Sequence, residues 1–418
     1  MSADGAKPTT RFAMPALVWG LGFVSLLTDI ASDMVVPLFP AILASVGGGA
    51  LALGFLEGLA EGASALSKWW GGRLADRKVT AAPLVVAGYG VAALVRPFYA
   101  FIGAPWHAYV LRIVDRVGKG IRSAPRDALI AESVPAARRA YAFGIHRGLD
   151  NLGAVCGGLL SFALLSYAGW SLRDVLLASF VPGALSTLLA AGLLLRRRSS
   201  AVASIAESRA PADRLPEGGA SDPPAPKTKT NAPVRSSRRL RVVFTSVALF
   251  GLACSADSFL MAHLLALGVE LRWIPLIWIA LQLGKSLLNA PGGWLADRFG
   301  VGRATLVSYV LYAAAYAGFA YAPSPAVVIA LFVVYACHYG LGEGADKALI
   351  SWLAPAGSRG RALGVFHAIS GVAVLAANIA FGALYLTSPK LAFGFAAVMA
   401  VSASAVLAIG LHGADEAA

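Results

Sequence analysis

Charged side chains are scarce in this chain of 418 residues, where Asp, Glu, Lys and Arg together make up 14%. Soluble domains usually carry about 25% charged residues. This sequence therefore has too little charge to cover a surface that faces water. Hydrophobic residues make up 58%, and the mean hydropathy is +0.69. The composition excludes an ordinary water-soluble domain and indicates a membrane protein.

Cysteine is also rare, with Cys156, Cys254 and Cys337 as the three examples. They have no metal-ligand spacing and no obvious pairing, so we interpret them as packing residues. Catalytic motifs are missing as well, because neither H-E-x-x-H nor G-x-S-x-G occurs. The sequence therefore predicts no metal site, no cofactor and no enzymatic activity.

Long apolar runs are abundant. Each is roughly 20 residues long, the length that crosses a bilayer as a helix. We expect twelve spans, of which the fourth and fifth are too polar for a hydropathy scan alone to find. The expected bounds are 14–36, 51–71, 80–103, 106–129, 140–167, 172–195, 241–267, 273–295, 303–322, 325–352, 361–386 and 390–411.

Lysine and arginine are unevenly distributed over the loops between these spans. With the N-terminus inside, eleven bases fall in short cytoplasmic segments, against Arg173, Arg272 and Lys390 on the opposite side. The positive-inside rule therefore predicts a multi-pass protein with both termini in the cytoplasm. Because the bases follow the loops, the net charge of +13 is interpreted as a topology signal. Membrane lipid is expected as a partner and nucleic acid is not.

A polar stretch over 196–240 divides the apolar sequence. It begins with Arg196, Arg197 and Arg198, and its Pro-, Ser- and Lys-rich composition cannot bury enough apolar surface to fold. We therefore expect a cytoplasmic N-terminus (1–13), a six-helix bundle (14–195), a flexible cytoplasmic linker (196–240), a second six-helix bundle (241–411) and a cytoplasmic tail (412–418).

The two expected bundles share sequence features. The segment Gly72–Arg77 after the second span recurs as Gly293–Arg298, an offset of 221 positions (72 to 293). The segment Asp127–Ile130 recurs as Lys347–Ile350, an offset of 220 positions (127 to 347). Duplication in an apolar chain predicts two similar bundles with a working site where they meet.

These features resemble the major facilitator superfamily over nearly all of the chain outside the linker and termini. In that family the turn after the second span reads G-x-x-x-D-[RK]-x-G-[RK]-[RK]. Both copies here keep the glycine, aspartate and arginine, namely Gly72, Asp76, Arg77, Gly293, Asp297 and Arg298. The first copy has Val79 and Thr80 where the family has glycine and a base. The resemblance implies an all-α membrane protein of the bacterial type, with twelve transmembrane helices in two pseudo-symmetric six-helix bundles, in the inner membrane.

We expect these six turn residues to act in gating. A glycine at the end of a span lets another helix approach closely. An aspartate at the membrane edge can pair with a helix N-terminus or an arginine. Such a bond would form in one conformation and break in the other, so each turn would act as a latch. The alternative is that the Asp-Arg pairs only anchor the topology.

Ionisable residues inside spans are costly in lipid, so they usually face the bundle interior and mark a pathway. Carboxylates in the first two spans lie four residues apart and share a helix face, while the fourth span carries a stripe of bases. The expected proton-coupling residues are Asp29, Asp33, Glu57, Glu61, Arg112 and Asp115. Arg112 with Gly118 and Gly120 is similar to a motif linked to proton transfer in the family. The alternative for each residue is a fixed salt bridge.

Other polar residues of the spans are expected to contact substrate, since bases can grip a carboxylate or phosphate. The candidates are Arg116, Lys119, Arg147, Asp150, Asn151, Asp257, Gln282 and Glu343. In the second half, aromatic residues are expected to shape the cavity, namely Trp273, Trp278, Tyr335, Tyr339 and Trp352.

The fifth span carries glycines at 144, 153, 157 and 158 that partly match a pattern of the family's antiporters, although close helix packing explains the same glycines. A channel or receptor would not need duplicated latch turns. We expect a monomeric secondary transporter of a small organic solute that works by alternating access, with proton-coupled efflux favoured. The alternative is a proton-coupled uptake symporter for an anionic nutrient, vitamin or metal chelate. Coupling to sodium stays open.

Overall fold

The computed structural model describes residues 14–75, 81–135, 139–208, 238–354 and 359–412, and all regular elements within them are helical. The α-helices are α1 (Ala16–Asp33), α2 (Phe39–Ala44), α3 (Ala50–Ala75), α4 (Ala81–Val95), α5 (Pro105–Glu132), α6 (Arg139–Ser166), α7 (Leu172–Ala178), α8 (Phe180–Ser208), α9 (Arg238–Ala253), α10 (Ser258–Ala266), α11 (Ile274–Phe299), α12 (Val301–Tyr321), α13 (Pro325–Leu353), α14 (Arg359–Thr387) and α15 (Pro389–His412). Short 3₁₀ helices lie at Val36–Leu38, Arg96–Phe101 and Leu271–Trp273.

These helices fit the predicted all-α arrangement of twelve spans, with α1 and α2, α7 and α8, and α9 and α10 each forming one span. Among the described residues, ten segments are long and apolar enough to cross a membrane. The fourth span, α5, is too charged to be among them, as expected. The expectation for the fifth span is wrong, because Ile145–Ser166 is apolar enough. The second span, α3, is missing from the ten instead, since Glu57 and Glu61 lower its hydropathy.

Helix α8 continues to Ser208, beyond the expected end of the sixth span at 195. Alanine and arginine are good helix formers, so the polar start of the interval 196–240 extends the helix into what was expected to be linker. The remaining residues of that interval, 209–237, lie outside the described part of the chain.

The chain divides into two units, the first formed by Met1–Leu194 and Asp257–Leu283. In this unit α3 and α4 pack along α5, and α1 packs along α6. A Cβ atom at Gly153 or Gly157 of α6 would overlap the backbone of Leu26 or Ile30 in α1. These two glycines of the fifth span therefore allow α6 to pack closely on α1. Helix packing explains them without reference to the antiporter pattern.

The second unit is formed by Leu195–Ala256 and Gly284–Ala418. In this unit α12 packs on α13 and α15, and α9 packs on α14 and α15. Aromatic rings fill the core. Phe250 stacks on Tyr309 with ring centres 3.7 Å apart, and Tyr312 stacks on Tyr316 at 4.0 Å.

Among the described residues, the first and seventh spans are interrupted over several residues, whereas the sixth is broken only at Ser179. In the first span, α1 ends at Asp33 and α2 begins at Phe39, with Pro37 between them. Proline lacks the backbone N–H that a continuous helix needs, so the break has a local cause. In the seventh span, α9 ends at Ala253 and α10 begins at Ser258, with no proline or glycine between them.

The break in the seventh span is stabilised by side chains of the second unit. Tyr312 donates its hydroxyl proton to the carbonyl of Ala253 across 2.8 Å. The N–H of Ala256 donates to Asn378 Oδ1 across 2.9 Å. Irregular backbone at membrane depth is tolerated only where such partners satisfy it, so Tyr312 and Asn378 explain how the span can be interrupted.

Candidate functional site

Arg112 of α5 and Glu57 of α3 form a buried ion pair. Arg112 Nη2 donates to Glu57 Oε2 across 3.1 Å, and the two residues are 4% and 6% exposed. Ser258, the first residue of α10, donates its hydroxyl proton to Glu57 Oε1 across 2.7 Å. The Arg112 guanidinium also lies 4.4 Å from the centre of the Phe39 ring. Both oxygens of Glu57 are therefore bonded to groups on other helices.

Asp115, one turn after Arg112, lies between two further arginines. Its Oδ1 is 3.5 Å from Arg96 Nη2, and its Oδ2 is 3.9 Å from Arg116 Nε. Arg96 also donates to the carbonyl of Thr28 across 3.2 Å. Arg96 was not among the predicted site residues. The available signal was an arginine inside the apolar run 80–103.

Asp33, at the end of α1, contacts the eighth span. Trp278 Nε1 in α11 donates to Asp33 Oδ1 across 2.9 Å. Asp29, one turn earlier, is half-buried and lies within electrostatic range of Lys119 and Asp150. Both carboxylates of the first span thus lie near charged or polar groups of other helices.

Several other predicted site residues of the first unit are more accessible. Glu61 and Lys119 are exposed, and Arg116 is half-buried. In α6 the Arg147 side chain is 68% exposed and its Nη1 lies 3.9 Å from Asp150 Oδ2. These side chains are the ones that a solute beside the helices could reach.

Two neighbours of Asp150 complete the polar part of α6. His146 Nδ1 lies 3.5 Å from Asp150 Oδ2, with the histidine buried and the aspartate half-buried. Asn151 is half-buried as well. Asp150 and Asn151, which are consecutive in the sequence, therefore both lie on the helix that packs against α1.

The predicted substrate residues of the second sequence half lie in two helices and immediately before a third. Asp257 precedes α10 and is half-buried. Gln282 lies in α11, and its Oε1 is buried without a hydrogen-bond partner in the described residues. Glu343 lies in α13, and its side chain falls outside the described structure.

Lys285 in the second unit is a buried cation that the site prediction did not include. Its Nζ lies 4.8 Å from the ring centres of both Tyr335 and Tyr339. This contact places the lysine against the negative faces of two aromatic rings. The two tyrosines were expected to shape a cavity, and here they contact a charge.

The predicted gating residues are only partly described. Gly72 lies in α3, while Asp76 and Arg77 fall outside the described residues. Asp297 lies in α11, and its side chain is not described. Arg298 is exposed, with its guanidinium 5.3 Å from the centre of the Trp294 ring.

The close helix approach expected at Gly293 is found one residue earlier. A Cβ atom at Gly293 would meet no described atom within 4 Å, whereas one at Gly292 would overlap the backbone of Gly340 in α13. The packing reason given for the glycine of the turn motif is therefore wrong at Gly293. Gly292 faces the neighbouring helix because successive helical residues point about 100° apart.

Chemically, carboxylates such as Glu57 and Asp115 are groups that can take up a proton, and arginines are groups that can bind carboxylates or phosphates. Among the described residues, no group of three or more His, Cys, Asp and Glu side chains is arranged to hold a metal ion. Many apolar helices, two interrupted spans and an interior of paired charges define a membrane transporter.

Sequence comparison gives the family. The profile of the Major Facilitator Superfamily matches residues 21–344 and 266–417, and the chain belongs to that superfamily. An uncharacterised MFS-type transporter of Methanocaldococcus jannaschii is 30% identical over 396 residues, which cover 93% of this chain and 94% of the relative. The multidrug resistance protein MdtH of Photorhabdus laumondii is 31% identical over 146 residues, which cover 35% and 36% of the two chains.

Among solved structures, the nucleoside transporter NupG is similar with a TM-score of 0.71 and 14% identity, covering 95% of this chain and 99% of that chain. At this identity the likeness shows the fold alone. The fold class and the superfamily expected from the sequence are confirmed.

Proposed function

We propose that this protein is a secondary transporter that exports a small organic solute across the inner membrane in exchange for protons. The observation that carries this proposal is the pair of hydrogen bonds accepted by Glu57 and Asp33. Both side chains are carboxylates and can take up a proton. Both accept their bonds from distant parts of the sequence, Ser258 and Trp278, 201 and 245 positions away.

Protonation of these carboxylates would couple protons to a change of conformation. A hydrogen bond to an ionised group typically contributes about 1.5–3 kcal/mol, more than one to a neutral group. A proton on Glu57 or Asp33 would weaken the bonds from Ser258 or Trp278 and favour a conformation in which these contacts open. Arg112 would adjust this balance through its charge. Asp29, Glu61 and Asp115 are the further carboxylates proposed to take part.

The proposed substrate contacts are polar residues of the membrane spans. They are Arg116, Lys119, Arg147, Asp150, Asn151, Asp257, Gln282 and Glu343. The exposure of Lys119 and Arg147 supports the assignment, since a charge on a membrane helix is favourable only beside water or a polar partner.

Alternating access would be controlled at two turns, with both termini in the cytoplasm. The proposed gating residues are Gly72, Asp76, Arg77, Gly293, Asp297 and Arg298. The recurrence of the turn sequence at an offset of 221 positions (72 to 293) supports this role. The protein is proposed to act as a monomer of two six-helix domains, 14–195 and 241–411, joined by a linker.

Export is favoured by the similarity to a multidrug resistance protein over about a third of the chain and by the glycines of the fifth span. Uptake by proton symport is the second candidate. The observation that favours it is a surplus of bases, because the ion pairs of the described residues join three arginines, Arg96, Arg112 and Arg116, to two carboxylates, Glu57 and Asp115. Such a surplus suits an anionic nutrient, vitamin or metal chelate.

The test is transport by purified protein in lipid vesicles with an imposed pH gradient. A panel of anionic, cationic and neutral compounds is offered, and a trapped pH dye follows proton movement. Export by exchange predicts that one compound class and protons move in opposite directions. Movement in the same direction would establish the uptake alternative, and solute movement that ignores the pH gradient would overturn proton coupling.

A matched control is available for the charged site. Glu270 and Arg272 form an exposed ion pair with 2.7 Å between Arg272 Nη2 and Glu270 Oε2. The Glu270→Gln variant removes a carboxylate of the same kind outside the interior cluster. Its transport should equal that of the unmodified protein, whereas Glu57→Gln should transport without proton movement or not at all.

A further inference from the structure

A small pocket opens beside Arg112 in the first unit. It has room for about one water molecule, and Arg96, Tyr99, Arg112 and Asp115 are among the residues that line it. Tyr99 belongs to the 3₁₀ helix that follows α4, while Arg112 and Asp115 lie one turn apart on α5. The pocket therefore lies where the charged stripe of α5 meets the end of the third span.

Three polar atoms of these residues are buried without a hydrogen-bond partner in the described part of the chain. They are Tyr99 Oη, Arg112 Nε and Asp115 Oδ1. Arg96 Nη2 lies 3.5 Å from Asp115 Oδ1, which makes an ion pair but does not satisfy the geometry of a hydrogen bond. Buried polar atoms are rarely left unsatisfied, and three that belong to residues lining one pocket point to a common ligand.

The chemistry of the three atoms defines that ligand. The Tyr99 hydroxyl and the Arg112 Nε–H are donors, whereas the Asp115 carboxylate oxygen is an acceptor. A chloride ion could accept from the first two but would be repelled by Asp115. A metal cation would be repelled by Arg112 and Arg96. A water molecule can accept two hydrogen bonds and donate one, which matches all three atoms.

We propose that this pocket binds one water molecule that links Tyr99, Arg112 and Asp115 and carries protons to Asp115. In one concerted step, a hydronium ion at the mouth of the pocket gives a proton to the bound water and the water passes one of its own protons to Asp115 Oδ1. The bound water therefore stays neutral, and the carboxylate becomes a carboxylic acid. This relay rests on the proposed proton coupling, whereas the water site does not.

Tyr99 is then a positioning residue, because it acts on Asp115 only through the water. Tyr99→Phe removes one donor to the water and leaves the ring in place. Tyr89→Phe is the matched control. The Tyr89 hydroxyl is also buried without a partner in the described residues, but its ring faces Arg122, whose guanidinium is 4.2 Å from the ring centre, and it does not line the pocket.

Two measurements test the proposal, and neither needs a solute. The first is an experimental structure at a resolution that shows ordered water, for the unmodified protein and both variants. The second is rapid mixing of purified protein with acid, followed with a pH indicator. The phase of proton uptake that disappears in Asp115→Asn is assigned to Asp115.

We expect density for water within hydrogen-bond distance of the three atoms in the unmodified protein and in Tyr89→Phe, and its loss in Tyr99→Phe. The Asp115 phase should be about fivefold slower in Tyr99→Phe, the factor that one lost hydrogen bond typically represents. No density at the pocket in the unmodified protein would overturn the water site. The relay would be overturned if Tyr99→Phe left the rate of the Asp115 phase unchanged. It would also be overturned if Asp115→Asn still showed every phase of proton uptake. Water density without solute-driven proton movement would contradict the proposed function alone.

Discussion

Ser258 donates a hydrogen bond to Glu57 Oε1 across 2.7 Å, although 201 positions separate the two residues. The other oxygen of the same carboxylate accepts from Arg112 across 3.1 Å. A proton that arrives at Glu57 therefore acts on an ion pair and on a contact between sequence-distant helices at the same time. This double role distinguishes Glu57 from the carboxylates that belong to local pairs, such as Asp150 with His146.

Replacing Ser258 with alanine tests the contact from its other end. Ser258→Ala removes one hydrogen bond to a buried, ionised carboxylate, so we expect a loss of about 1.5–3 kcal/mol and a lower Tm in detergent. Ser404→Ala is the matched control, because the buried Ser404 hydroxyl donates to the carbonyl of Ala400 in its own helix and to no other group in the described part of the chain. Equal Tm values for the two variants would contradict the contact.

Replacing Asp33 with asparagine removes the group that takes up a proton but keeps the hydrogen-bond acceptor. The amide oxygen of Asp33→Asn can still accept from Trp278, but the side chain cannot take up a proton. We expect normal insertion into the membrane and loss of proton-coupled transport, measured in vesicles with a pH dye. Proton movement at the unmodified rate would exclude Asp33 as a coupling residue.

Replacing Arg112 with alanine tests the buried ion pair. Arg112→Ala leaves the Glu57 carboxylate buried without its counter-charge, which costs about 3–5 kcal/mol, and coupled transport should be lost. Arg272→Ala breaks the exposed pair with Glu270 and should cost no more than about 1 kcal/mol. Adding Glu57→Gln to Arg112→Ala should restore part of the Tm. If the double variant has the same Tm as Arg112→Ala, the unpaired charge of Glu57 is not what destabilises the protein.

The helical fold and many of the charged residues of the site could be predicted from the sequence. Apolar runs of membrane length are a local property, and so is the helix face shared by Asp29 and Asp33. The break in the first span also has a local signal, namely Pro37. The break before Ser258 has none, because its partners Tyr312 and Asn378 come from other helices.

The contacts of the site could not be predicted in the same way. Periodicity places Glu57 and Asp33 on helix faces, but it does not say that Ser258 and Trp278 will meet them. Ser258 carries no charge, so a search for ionisable residues inside spans passes over it. Arg96 could have been found by that search, and its contact with Asp115 makes it part of the cluster.

Glycine in the fifth span provides a test of helix packing. A Cβ atom at Gly157 would overlap the backbone of Ile30, so Gly157→Ala should force α6 away from α1 at a cost of about 1–3 kcal/mol. Gly148→Ala in the same helix is the control, since no described atom lies within 4 Å of its added Cβ. The measurement is Tm in detergent. A Tm for Gly157→Ala at or above that of Gly148→Ala would contradict the close contact.

The most direct test of the central claim is the pH dependence of the distance between α3 and α10. Spin labels are attached to cysteines at the exposed positions Phe55 and Ala266, after Cys156, Cys254 and Cys337 have been replaced by serine. Acid should lengthen the distance, because a proton on Glu57 weakens its bond from Ser258. With Glu57→Gln, the longer distance should already dominate at neutral pH and respond less to acid. A distance that does not change with pH in the unmodified background would contradict the claim that protonation of Glu57 opens this contact.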